Sequence, residues 1–130
     1  MPVWKAAPDL EALAARVIAK LPEQVGYVDP DEVLFLWEIE TISGAQAKCF
    51  SLDTHPIGYF TDKRWAIVFY RQNVDYMSWR QLAILMLHEL KHIPLLGIKL
   101  RDHNVKDFLS VLALDLHWSE PGRDVPNILE

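Results

Sequence analysis

The chain has 130 residues, 51% hydrophobic and 24% charged, which suits one compact domain over residues 1–130 and excludes wholesale disorder. Its net charge is -5 with acids and bases scattered, so no basic stripe exists to neutralise phosphates and direct nucleic-acid binding is not expected. The charged N-terminal stretch lacks the apolar core of a signal peptide or a membrane span, and the single Cys49 can build neither an internal disulfide nor a multi-cysteine metal site, so a reducing, cytoplasmic home is expected.

In chain order, Leu10, Leu13, Ala14, Val17, Ile18 and Leu21 recur with helical spacing and predict an amphipathic helix over Asp9–Leu21, stopped by Pro22. EVLFLWEIE, Glu32–Glu40, is β-branched and aromatic and predicts a strand with Val33, Phe35, Trp37 and Ile39 on one face. Ser43–Gln46 reads as a turn, Ala47–Leu52 as a short strand and Thr54–Asp62 as a loop. WAIVFY, Trp65–Tyr70, is an uninterrupted apolar run of strand length. Ser78 with Gln81 three residues on is a capping-box pattern, predicting a helix from about Trp79 to about Ile93, ahead of Pro94. Val105, Phe108, Leu109, Leu112 and Leu116 predict a third helix over Asn104–Leu116, and residues 119–130 form an irregular tail. The five tryptophans read as large anchors of a small core.

Within the second helix, LMLHELKHIP places His88 and His92 four residues apart, about 40° around the axis and about 6 Å along it, so both imidazoles can converge on one ion. Glu89 sits about 100° round from His88, poorly placed as a third ligand but well placed to touch a water on the metal. This is the HExxH pattern, in which the glutamate is general base to a zinc-bound water. A shuffled chain of this composition would show it with an expectation of roughly 0.01, so chance is a weak explanation. The competing reading is a solvated helix stripe with Glu89 and Lys91 in water.

A catalytic zinc normally has three protein ligands and one open position. His103, past the break at Pro94 and Gly97, is the best third candidate; the alternative is a histidine that caps or packs at a helix start. Asp107 stands one turn further on and could hold the free ring nitrogen of His103, or be an exposed helix carboxylate. His55, in a loop, and His117, about 21 Å along the third helix from His103, read as ordinary.

HELKHIP followed by DHNVKDFLSVLALDLHW resembles the phage-type metallopeptidase family, whose pattern is close to HELxHI, then HDxxDF, then a tryptophan near the end. The likeness covers roughly Asp29 to Trp118. It implies that His88, His92 and His103 hold zinc and that Glu89 is the catalytic base, with Asp107 at the family's acid. Asn104 departs from the family's Asp and leaves the implied ligands intact. A more distant likeness is to SprT-like and other minimal zincins.

The fold expected is α+β: a minimal zincin-like, small twisted sheet of three to four strands packed with about three helices, with HExxH on the central helix. Trp65–Tyr70 would form the rim of the cleft, its exposed edge pairing with an extended polypeptide substrate. The reaction expected is Zn2+-dependent hydrolysis of peptide bonds, with Tyr70, Arg71 and Tyr76 as weak candidates for stabilising the oxyanion. The alternative is a zinc-stabilised binding or regulatory module without activity, its site closed by a fourth ligand from Asp102, Asp107 or Cys49.

Overall fold

The computed structural model describes residues 3–40, 45–52, 61–94 and 118–129. Four strands, β1 (Trp4–Ala6), β2 (Val33–Glu38), β3 (Ala47–Ser51) and β4 (Trp65–Tyr70), form one sheet in the order β1-β2-β4-β3. The helices are α1 (Pro8–Lys20), α2 (Pro22–Val25), α3 (Arg71–Val74) and α4 (Trp79–Leu90), and the class is α+β as expected. The predicted third helix lies outside the described residues, as do His55, Asp102, His103, Asp107 and His117.

The two central strands, β2 and β4, run parallel, and each edge strand pairs antiparallel with its neighbour. Every residue of β4 is buried, and all but Leu34 of β2. Burial on both faces is the environment that parallel strands need, and it explains why WAIVFY shows no polar alternation. The expectation that Trp65–Tyr70 forms an exposed rim is therefore corrected: β4 has β2 on one side and β3 on the other, so its backbone groups are already paired. Among the described residues the open edges belong to β1 and β3.

Val33, Phe35 and Trp37 from β2 and Trp65, Ile67 and Phe69 from β4 face one side, where they meet Leu10, Ala14 and Val17 of α1 and Ala83, Ile84 and Met86 of α4. Leu36, Val68 and Tyr70 face the other side. The Trp37 indole N–H donates to both oxygens of Asp9, at 3.0 and 3.1 Å, fixing the start of α1 over β2. Of the tryptophans, Trp37, Trp65 and Trp118 are buried anchors, whereas Trp4 and Trp79 are 44% and 49% exposed. Residues 118–129 form two turns joined by an irregular stretch, and Val125, Ile128 and Leu129 join the core. No helix among the described residues is long and apolar enough to cross a membrane.

Candidate metal site

Helix α4 starts where the capping box predicts. The Ser78 hydroxyl accepts from the Gln81 N–H at 3.2 Å, and the Gln81 side-chain oxygen accepts from the Ser78 N–H at 3.0 Å. The α-helix ends at Leu90, three residues before the predicted end. Its chain continues as a tighter turn, with His92 N–H on Glu89 O and Ile93 N–H on Leu90 O. Pro94 accounts for the shortening, because a residue before proline is disfavoured in the α region.

His92 thus stands just past the helix, and the turn still brings it beside His88, with ring centroids 5.3 Å apart and planes inclined at 65°. One ligand atom from each of His88, Glu89 and His92 lies within 4.8 Å of the others. Both imidazoles are half-buried, and Glu89 is 3% exposed. The solvated-stripe reading does not survive this burial. Lys91 is also buried, and its ammonium donates to Gln24 Oε1 at 3.2 Å.

Side chains remote in sequence brace this end of α4. The Tyr27 hydroxyl donates to the Ile93 carbonyl, and with Lys91–Gln24 it ties the turn carrying His92 to α2 and the turn that follows it. On the other flank the Trp118 ring lies 6.2 Å from that of His88, inclined at 45°. Gln24 and Tyr27 carry no sequence signal of such a role, since the contacts span 66 and 67 residues. Trp118 was visible only through the family pattern.

Cys49 on β3 packs against the α4 side of the sheet. Burial, and then the charge of Glu89, push its thiol well above its ordinary range, so it stays protonated at neutral pH. It is not one of the three grouped ligands, and as a fourth, closing ligand it finds no support among the described residues.

Of the oxyanion candidates, Arg71 and Tyr76 are engaged elsewhere. Tyr70 packs with Leu36 and Val68 on the sheet face opposite α4, and burial, the Glu38 charge and then the Glu89 charge raise its hydroxyl pKa. Arg71 stacks over Trp37 at 4.1 Å. The Tyr76 hydroxyl donates to Ser119 O at 2.9 Å and accepts from Gln46 at 2.6 Å, beside the opposite end of α4.

Two converging imidazoles are donors that suit a transition metal ion such as zinc, and the Glu89 carboxylate lies within 4.8 Å of both. The model of the family described as "Putative phage metallopeptidase" matches residues 3–129. No curated protein and no solved structure shows a significant match.

Proposed function

The chain belongs to the phage metallopeptidase family, and from that premise we propose that it is a zinc-dependent peptidase in which His88, His92 and His103 hold the ion and Glu89 is the general base. The observation that carries this reading is the convergence of His88, His92 and the buried Glu89, whose ligand atoms lie within 4.8 Å of one another. A cation held by the two imidazoles and the buried carboxylate beside them attract one another more strongly in these low-dielectric surroundings than they would in water. His103 enters from its place eleven residues after His92 in the sequence, and Asp107 is assigned to its second ring nitrogen.

Zinc in such a site supplies Lewis acidity, polarising the scissile carbonyl and lowering the pKa of water toward about 7. The carboxylate of Glu89 takes the proton of the attacking water and returns it to the leaving amine. Substrate is an extended polypeptide, and the strand edge that suits it is β3, which pairs with β4 alone among the described residues and packs against α4.

The deciding experiment is the metal content of protein purified without added ions, compared with His103→Ala. Stoichiometric zinc in the wild type and its loss in the variant is the expected result. An equal zinc content in both removes His103 from the ligand set.

A further inference from the structure

Gln81 is 1% exposed, and its amide is fully engaged. Its oxygen accepts from the Ser78 N–H, while its NH2 group donates to the carbonyls of Trp118, at 3.0 Å, and Glu120, at 2.7 Å. The partners fix the orientation of the amide: two carbonyls can accept only from nitrogen, and one N–H can donate only to oxygen. One side chain therefore closes the start of α4 and clamps the tail across it. The Tyr76 hydroxyl adds a second hold on the same strap through Ser119 O.

The position of the clamp matters. Gln81 and His88 are seven residues apart, two helical turns, so they lie on one stripe of α4 separated by about 10 Å. With its carbonyl held at Gln81, Trp118 extends its buried indole along that stripe to the imidazole of His88. An imidazole needs one particular rotamer to meet a metal, and a half-buried histidine at the end of a helix has others open to it. A rigid indole against one flank removes part of that freedom before any ion arrives, which raises affinity by cutting the ordering cost.

We propose that Gln81 and Trp118 are positioning residues: the Gln81 amide fixes the chain at 118–120 so that the Trp118 ring holds the His88 imidazole in its metal-accepting orientation. The proposal rests on His88 being a zinc ligand.

The test uses Gln81→Glu, which keeps the acceptor for Ser78 and loses the two-proton donor, together with Trp118→Ala and Trp118→Phe. Two readouts are taken: the nuclear Overhauser effect between the indole of Trp118 and the ring protons of His88 in metal-free protein, and zinc affinity by competition with a chromophoric chelator. The ring contact is expected in the wild type and lost in Gln81→Glu. Zinc affinity is expected to fall roughly 10- to 100-fold in Gln81→Glu and Trp118→Ala, and by no more than about threefold in Trp118→Phe, which keeps an aromatic ring at the site. Should Gln81→Glu fail to fold, the Phe and Ala variants at position 118 decide alone. A zinc-binding wild type whose affinity is untouched by Trp118→Ala overturns the positioning role and leaves the peptidase reading intact. A wild type that binds no zinc overturns both.

Discussion

At the scale of single residues, Glu89 and Cys49 share one environment and respond to it differently. Glu89 is buried against the histidine pair, where a neutral isostere fits the same volume. Glu89→Gln should keep zinc and lose roughly 10²- to 10⁴-fold in peptide hydrolysis, the usual worth of a general base; full activity with bound zinc would remove Glu89 from the mechanism. For Cys49 the sign follows from its raised thiol pKa, caused first by burial and second by Glu89. The stability it contributes is complete below the unfolded thiol pKa of about 8.5 and is lost as pH rises through the higher folded value. Urea midpoints of metal-free protein should therefore decline from about pH 8.5 upward, and Cys49→Ala should flatten that limb. Tyr70, raised by burial and by Glu38 and Glu89, adds its own loss further into the alkaline range. Iodoacetamide should label Cys49 at neutral pH far more slowly in the folded than in the urea-unfolded chain.

At the scale of elements, legibility tracked how local the determining interaction is. The start of α4 was readable because Ser78 and Gln81 satisfy one another within a single turn, and the inner face of β2 because Val33, Phe35 and Trp37 alternate. Strand order was not readable: nothing in WAIVFY states that β3 would pair outside β4 and take the edge, and that is why the cleft rim was misassigned. The three-residue β1 and four-residue α2 and α3 gave no periodic signal, their short spans being held by distant partners such as Asn73 on Ala45 O and Gln72 on Ile39 O. Gly26 shows the functional weight of such a short piece. A Cβ there would sit 2.4 Å from the Pro22 carbonyl oxygen, a backbone atom that cannot yield cheaply. Gly26→Ala should cost about 1–3 kcal/mol, seen as a lower urea midpoint. Because Gln24 and Tyr27 flank this glycine and hold the turn of His92, zinc affinity should fall in the same variant. An unchanged affinity would mean that the turn keeps its shape without them.

At the scale of the whole molecule, the histidine pair occupies a place where chain segments far apart in sequence converge. The α2 segment steadies the turn of His92, the tail flanks His88, and β3 brings Cys49 toward Glu89. A metal bound there is coupled to the global fold, because the unfolded chain has no such convergence and binds the ion weakly. Linkage then sets the magnitude: zinc at about 100 times its dissociation constant adds about 2.7 kcal/mol to stability. For a domain of this size that is an upward shift in thermal midpoint of roughly 10 °C. Excess EDTA should reverse the shift, and magnesium at the same concentration should not reproduce it, since imidazole donors suit zinc and hard oxygen donors suit magnesium. His88→Ala and His92→Ala should each abolish most of the zinc response while still melting cooperatively, because both rings are only half-buried and their removal leaves the core of β2, β4, α1 and α4 in place. A melting curve indifferent to both zinc and EDTA would remove the ion from the site.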